Sequence, residues 1–200
     1  FMEIFISTFL KIFFLMTPFF VLTMFLTITQ DATIRQRKAL AIKVTISVTI
    51  ISLILLFFGK HIFSIFGITL DAFRIGAGAL LFLTAVDLVK GTEHTSKVGH
   101  KDISQVAVVP LSIPMIIGPG TTGILLVMGA TFDNTSSMFM GSLSLLLAVL
   151  SIGLMLYTSS FLEKIIGKHG LQVISKITGL ILAALSAQIV FTGIKNFLEL

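Results

Sequence analysis

The sequence contains no cysteine, and only 12% of its 200 residues are charged. Without cysteine there is no disulfide framework, no thiolate metal site and no thiol nucleophile. The charged fraction is about half of the roughly 25% found in soluble globular domains, whereas 56% of the residues are hydrophobic and the mean hydropathy is +1.08. We therefore expect an integral membrane protein. Since no polar stretch is long enough to form a second core, we expect a single membrane domain.

The sequence also lacks the residue combinations of enzymes and of ATP-driven pumps. No nucleophile, base and orienting residue form a recognisable pattern, and the phosphate-binding loop motif is absent. His94 and His100 lie close to Glu93 and Asp102, but their spacing matches no metal site. We therefore expect no enzymatic activity, no cofactor and no bound metal.

Basic residues outnumber acidic ones and give a formal net charge of +5. In a soluble protein this excess would suggest nucleic acid, but here the basic residues lie in short segments between apolar runs, where membrane orientation accounts for them. Most of them follow the first, third and fifth apolar runs, and the smaller group on the other side is Lys11, Lys60, Arg74 and Lys195. The positive-inside rule then predicts that those three loops are cytoplasmic and that both termini lie outside. The expected partners include the lipid bilayer and exclude nucleic acid.

Six apolar runs are each long enough to cross a bilayer, which requires about 20 residues per helix. Open strands cannot span lipid, so the runs predict helices. They cover residues 4–28, 39–58, 72–89, 106–130, 138–161 and 177–198. A polar segment at 92–104 separates them into two groups of three. It predicts a cytoplasmic linker between repeat one, about residues 1–91, and repeat two, about residues 105–200.

A weak internal similarity supports this division. When the sequence is shifted by 102 positions, Arg74 falls on Lys176 and Gly91 falls on Gly193. Because each half has three spans, such a repeat must be inverted in the membrane, as in many secondary transporters. Chance similarity between two apolar helices is the alternative. We predict an all-α membrane protein with six transmembrane helices arranged as two inverted three-helix repeats.

The fourth run contains "VVPLSIPMIIGPGTTG", residues 108–123, which holds three of the four prolines. Proline removes a backbone donor inside a helix and glycine permits other geometries, so Pro114 and Pro119 predict helix breaks. A half-helix starting near Pro119 would present free amides and a positive dipole end to an anion, while the carbonyls before it would attract a cation. We predict a site for a zwitterion, lined in this run by Ser112, Met115, Gly118, Gly120, Thr121 and Thr122. The alternative is a break that only serves packing.

Pro18 lies near the centre of the first run, at a depth similar to that of the second break. A lone proline is more typical of a kink, but the matched positions lead us to predict that helices one and four are both broken or reentrant. Two polar residues elsewhere have open interpretations: Gln188 either lines a pathway or joins helices, and Lys11 either reaches the interface or faces an aqueous vestibule.

Several segments resemble the MarC-type family of six-span inner-membrane proteins. "PLSIPMIIGPGTTG" is similar to that family's Ile-Pro-x-x-x-Gly-Pro-Gly signature, and residues 66–91 and 174–194 are similar to its third and final spans. The resemblance covers essentially the whole chain. It implies a location in a bacterial or archaeal inner membrane, paired broken helices and, as in some members, transport of neutral amino acids.

The first span departs from the pattern of the family that the chain resembles, which is Asn/Asp-Pro-x-Gly-x-x-Pro-x-Phe. The corresponding stretch is "TPFFVLTMF", so Thr17, Phe20 and Thr23 replace the polar residue, the glycine and the second proline. We count Thr17 and Thr23 among the substrate-binding residues. The leading hypothesis is a secondary transporter of small neutral amino acids or similar solutes, facilitative or coupled to a proton or sodium ion. The alternative is a scaffold or regulatory subunit that keeps the fold without transport. The sequence leaves the oligomeric state open.

Overall fold

A computed structural model gives the structure of this chain and describes residues 2–91 and 116–198. All regular structure in these two ranges is helical, and they contain no strand. The helices are α1 (Met2–Leu15), α2 (Pro18–Ile28), α3 (Ile34–Phe66), α4 (Leu70–Lys90), α5 (Pro119–Thr131), α6 (Thr135–Tyr157) and α7 (Ser159–Phe197). Helix α7 bends at Gly167, whose backbone angles are not helical. The prediction of an all-α fold is thus confirmed for these ranges.

Five helical stretches in the described residues are long and apolar enough to cross a membrane. They are Phe5–Ile28, Ile34–Gly59, Leu70–Lys90, Thr135–Tyr157 and His169–Phe197. These stretches correspond to predicted spans one, two, three, five and six, and they make the chain a multi-pass membrane protein. Of the predicted fourth span, the structure describes only residues 116–130, which include most of α5. The rest of that span and the predicted linker at 92–104 lie outside the described residues.

The first span is interrupted near its middle. Helix α1 ends at Leu15 and α2 begins at Pro18, which occupies the first helical position. Pro at this position is favourable, because its missing N–H would have no intrahelical acceptor anyway. Pro18 therefore starts a new helix, and a kink within one continuous helix is the wrong interpretation of this residue. The prediction that helix one is broken is confirmed.

One side of α3 shows how the helices meet lipid. Ile42, Ile46, Ile50 and Ile54 follow one another at a spacing of four residues, and each is about half exposed, between 51% and 54%. Residues four apart lie on the same face of a helix. An apolar stripe of this length on the outside of the molecule is typical of a surface that faces hydrocarbon rather than water.

Close helix crossings depend on glycine. Helix α5 packs against both α3 and α4, and α4 runs along α7 in the most extensive of the helix contacts. At the α3–α5 crossing, a side chain at Gly129 would overlap the carbonyl oxygen of Leu56, and one at Gly59 would overlap that of Leu126. Such small residues allow the backbones of membrane helices to approach and pack through van der Waals contact.

Helix boundaries recur along the chain at almost constant separation. Pro18 starts α2 and Pro119, 101 positions later, starts α5. A capping box at Thr33 starts α3, and a second one at Asn134, again 101 positions later, starts α6. In both boxes the N-cap side chain accepts a hydrogen bond from the backbone amide of the residue three positions later. The side chain of that residue accepts one from the backbone amide of the N-cap. Two helix starts of the first half, those of α2 and α3, therefore recur 101 positions later in the second half.

Candidate functional site

The first helix break contains an unusual backbone conformation. Thr17 has φ 48° and ψ 56°, the left-handed region, and is the only non-glycine residue with positive φ among the described residues. This conformation costs about 1–2 kcal/mol for an ordinary residue and is especially rare for a β-branched one. Because Thr17 is only 4% exposed, the surrounding packing holds it in place. Strain of this kind is often found at functional sites.

At the predicted second break the structure describes the start of a helix, and residues 106–115, which precede it in the fourth run, lie outside the described residues. Gly118 is the N-cap of α5, Pro119 is the first helical residue, and the amide of Thr122 donates to the carbonyl of Gly118 at 2.8 Å. Thr122 therefore does not supply the free amide that the sequence predicts. The amides of Gly120 and Thr121 precede this first intrahelical bond, so helix geometry leaves them without an acceptor within α5.

The two breaks meet at a hydrogen bond between Thr121 and Leu15, and this contact is called the junction. The hydroxyl of Thr121, in the first turn of α5, donates to the carbonyl oxygen of Leu15, the last residue of α1, at 3.2 Å. Both residues are about 95% buried. The positive end of one helix dipole thus lies against the negative end of another, which is a favourable arrangement. The bond also satisfies a carbonyl that the end of α1 would otherwise leave without a partner.

Gly120 allows the first turn of α5 to lie directly on α4. A Cβ atom at this position would stand 2.8 Å from the Cα and 2.9 Å from the nitrogen of Leu81. One turn later, Gly123 lies equally close to Ala77. The glycine predicted to expose the backbone to a ligand is buried in a helix crossing, so its contribution in this conformation is to packing.

The first-span residues of the predicted site are occupied with their own surroundings. The hydroxyl of Thr23 donates to the carbonyl of Phe19 at 2.9 Å, one turn earlier in α2. Phe20 is half-buried and packs against a core cluster that includes Leu15 and Leu81. Phe20 therefore fills space next to the junction of the two breaks, as its replacement of a glycine predicts. Three other predicted site residues, Ser112, Pro114 and Met115, lie outside the described residues.

A cavity of about 330 Å³ lies beside the junction, between α1, α4, α5 and α7. Leu15 and Ile124 line the part of it that approaches the breaks, and the lining also includes two basic and four polar residues. These are Lys11, Arg74, Thr8, Thr131, Gln188 and Thr192. Thr121 is not among the lining residues. The cavity therefore reaches Leu15, which accepts the hydrogen bond, but not Thr121, which donates it.

Two residues whose interpretation the sequence leaves open, Lys11 and Gln188, both line this cavity. Their position is compatible with a vestibule at Lys11 and a pathway at Gln188. Thr84, a polar residue of the third apolar run, donates to the carbonyl of Leu80 in its own helix at 3.1 Å and is not among the lining residues. Arg74 lines the cavity as well, although the sequence indicated it only as a topological charge. The signal available in the sequence was the position of Arg74 near the start of the third apolar run.

The two basic residues differ in how their charge is compensated. A guanidinium nitrogen of Arg74 lies 2.7 Å from a carboxylate oxygen of Asp71, which also accepts a hydrogen bond from the amide of Asn196 at 3.3 Å. Lys11 has no carboxylate within 4 Å among the described residues. The cavity therefore carries a net positive charge, and Lys11 provides it.

A comparison with protein families identifies the chain. The model of the "MarC family integral membrane protein" matches residues 2–198. The chain belongs to the MarC family. As a MarC protein it is 32% identical over 200 residues to a UPF0056 membrane protein of Buchnera aphidicola, covering 96% of this chain and 93% of that one. It is 30% identical over 199 residues to a UPF0056 membrane protein of Escherichia coli, with 96% and 93% covered.

Archaeal relatives match this MarC protein as well. It is 36% identical over 158 residues to a UPF0056 membrane protein of Methanocaldococcus jannaschii, which covers 76% of this chain and 69% of that one. No solved structure gives a significant match. The family resemblance inferred from the fourth-span signature is thus confirmed, and the names of these relatives describe membrane proteins without giving an activity.

Proposed function

We propose that this MarC protein is a secondary transporter that moves small neutral amino acids or similar small solutes by alternating access. The observation that carries the proposal is the buried contact between the break in the first span and the N-terminus of α5, beside a polar cavity. Helix ends at mid-span leave backbone groups that lipid cannot satisfy, and membrane proteins keep such groups mainly where they line a cavity or bind a ligand.

The recurring helix boundaries support an inverted repeat. Helices α2 and α5 start 101 positions apart, as do the capping boxes of α3 and α6. With a sixth span formed by the fourth apolar run, each half has three spans and the halves have opposite orientation. Rocking of one half against the other would then expose the junction alternately to each side of the membrane.

The Thr121–Leu15 hydrogen bond gives the junction a closed state. In our proposal a solute enters from the cavity and replaces this bond, so that its ammonium group donates to the carbonyl of Leu15. Its carboxylate accepts from the amides of Gly120 and Thr121, at the positive end of α5, and from the hydroxyl of Thr121 once that group has left Leu15. Of the other residues assigned to the site, Thr17 and Ser112 would contribute polar contacts.

We place the protein in a prokaryotic inner membrane with both termini outside. In this orientation Lys11 and Arg74 belong to the outer side, so the cavity opens away from the cytoplasm. Transport is facilitative or driven by a proton or sodium gradient, with no enzymatic step. The family relationship and the distribution of basic residues support this placement.

Uptake into proteoliposomes tests the proposal. Purified protein is reconstituted and offered a panel of radiolabelled small neutral amino acids, with and without proton and sodium gradients. Thr121→Val removes one hydroxyl at nearly constant shape and should reduce the initial rate about threefold to tenfold, the effect of losing one hydrogen bond of about 0.5–1.5 kcal/mol. Thr121→Ser should retain most of the rate.

Thr27→Val is the matched control, because the hydroxyl of Thr27 is exposed and donates only to the carbonyl of Thr23 in its own helix. This variant should transport like the wild type. Equal rates for Thr121→Val and the wild type would remove Thr121 from the site.

A scaffold or regulatory subunit is the second candidate function. The observation in its favour is that Phe20 packs beside the junction and that the cavity stops at Leu15. Absence of uptake under every gradient, by protein that is correctly folded and reconstituted, would support this role and reject transport.

A further inference from the structure

We propose that the cavity beside the junction binds the carboxylate group of a small organic solute, with Lys11 as the residue that binds it. This inference concerns binding, so it does not depend on whether the bound solute is transported. It rests on the position of Lys11, on the chemistry of the polar residues around it and on the size of the cavity.

Lys11 lies within the first membrane-spanning stretch, Phe5–Ile28, and its neighbours along the cavity wall include Leu15 and Leu185. A charged residue inside a span is costly and is usually paired or functional. No carboxylate among the described residues lies within 4 Å of Lys11. Lys11 is an exposed residue that lines the cavity, so its ammonium group is accessible to an anion that enters.

The second basic residue, Arg74, helps to define the site without competing for the same role. Its bond to Asp71 at 2.7 Å holds the guanidinium in place and compensates its charge. A guanidinium has five N–H donors, so the ion pair leaves others to contact a ligand. Lys11 thus supplies the uncompensated charge and Arg74 a fixed set of donors on the opposite helix.

Two of the three threonine hydroxyl groups that line the cavity already donate their protons within the protein. Thr131 donates its proton to the carbonyl of Met128 at 2.8 Å, and Thr192 donates its proton to the carbonyl of Gln188 at 2.7 Å. Their oxygens therefore present lone pairs to a ligand. A bare inorganic anion would meet these lone pairs unfavourably, whereas an organic carboxylate can direct carbon or N–H groups toward them. A volume of about 330 Å³ is near the lower end for small-molecule sites.

The absence of cysteine makes a direct test available. Lys11→Cys introduces a single thiol, which an aminoethyl methanethiosulfonate reagent converts into a cationic side chain resembling lysine. A methyl methanethiosulfonate reagent converts it into a neutral one. Binding of propionate is measured by calorimetry on the detergent-solubilised protein in its native fold, with propionamide as the uncharged probe and chloride and phosphate as competitors.

The wild type should bind propionate saturably and at least tenfold more tightly than propionamide, because a charge-assisted hydrogen bond is roughly twice as strong as a neutral one. Lys11→Cys should weaken propionate binding at least tenfold, the aminoethyl adduct should restore it, and the methyl adduct should not. Lys195→Met removes a basic residue that does not line the cavity and should leave the affinity unchanged.

Equal affinity in the wild type and Lys11→Cys would overturn the assignment, since Lys11 would then only reach toward the interface. If Lys195→Met lost as much propionate affinity as Lys11→Cys, diffuse surface charge would explain the binding and the assignment of Lys11 would fail. If chloride or phosphate bound as tightly as propionate, the ligand would not be a carboxylate in particular. If Lys11→Cys does not fold, Lys11→Arg replaces it and should bind propionate within about threefold of the wild type while Lys11→Gln does not. Propionate binding by a protein that transports nothing would support this inference and reject the proposed transport.

Discussion

The starts of α2 and α5 share a proline and a hydrogen-bond pattern but differ in their N-cap backbone and in the side chains around them. Each places proline at the first helical position, and in each the first intrahelical bond runs from the fourth residue to the N-cap, Val21 to Thr17 and Thr122 to Gly118. The second and third helical positions are Phe19 and Phe20 in α2 but Gly120 and Thr121 in α5. The two helix starts therefore share a hydrogen-bond pattern but not the side chains of their first turn.

Side chains give the two breaks opposite surroundings. Phe19 packs edge-to-face against Phe13 of α1, with ring centroids 6.4 Å apart, so an aromatic contact joins the helices on either side of the first break. At the second break, Gly120 and Thr121 bring the backbone and one hydroxyl directly to neighbouring helices. The first break is built for apolar packing, and the second leaves polar groups at the junction.

The largest expected effect comes from making the second break resemble the first in size. Gly120→Leu must force α5 away from α4, because even a Cβ would stand 2.8 Å from the backbone of Leu81. We expect a loss of about 3 kcal/mol in the free energy of unfolding, the upper end of the range for overpacking, together with loss of transport. Thermal unfolding of the purified protein measures the stability.

Gly76→Leu is the matched control, since a Cβ at this helical glycine would meet nothing within 4 Å. This variant should be as stable as the wild type or slightly more stable, because leucine favours helix over glycine. Similar losses in both variants would show that the contact with Leu81 does not determine the effect.

Several features of this contrast were predictable from the sequence. Long apolar runs with few charges predict the spans. In lipid, a helix lets each such run form all of its backbone hydrogen bonds within itself. Pro18 and Pro119 predict the starts of α2 and α5, because proline suits the first helical position and no later one. These features are local and depend on few residues.

The partners of the site residues were not predictable in the same way. Nothing near Thr121 in the sequence indicates that its hydroxyl donates to Leu15, more than 100 positions away. Similarly, Gly120 is a signal for a special backbone or for close packing, and only the position of Leu81 shows that packing decides. Long-range contacts of this kind depend on how all the helices are arranged together.

A smaller effect is expected when the first break is made to resemble the second. Phe20→Gly removes a half-buried aromatic ring and places glycine in the first turn of α2. A buried Phe→Ala change costs about 3–5 kcal/mol, so for this half-buried ring we expect about 2 kcal/mol, measured by thermal unfolding. If the proposed transport is correct, opening this side of the junction should raise the initial rate in proteoliposomes.

The control for Phe20→Gly is Phe139→Gly, because Phe139 is 67% exposed near the start of α6. This change carries the helix cost of glycine, about 1 kcal/mol or less, without loss of internal packing. A loss as large as that of Phe20→Gly would assign the whole effect to backbone propensity and remove Phe20 from the contrast.

The smallest expected effect tests the backbone at which the two N-caps differ, left-handed at Thr17 and extended at Gly118. Asn adopts the left-handed region more readily than a β-branched residue, so Thr17→Asn should stabilise the protein by about 0.5–1 kcal/mol, or a rise of about 1–4 °C in Tm for a chain of this size. Thr17→Val keeps the branched shape and the strain, and should show no such rise. Because Asn or Asp stands at this place in the family pattern from which the first span departs, a rise would tie that preference to the turn conformation. A Thr17→Asn variant no more stable than Thr17→Val would contradict this explanation and leave the difference between the two breaks to Phe19 and Phe20.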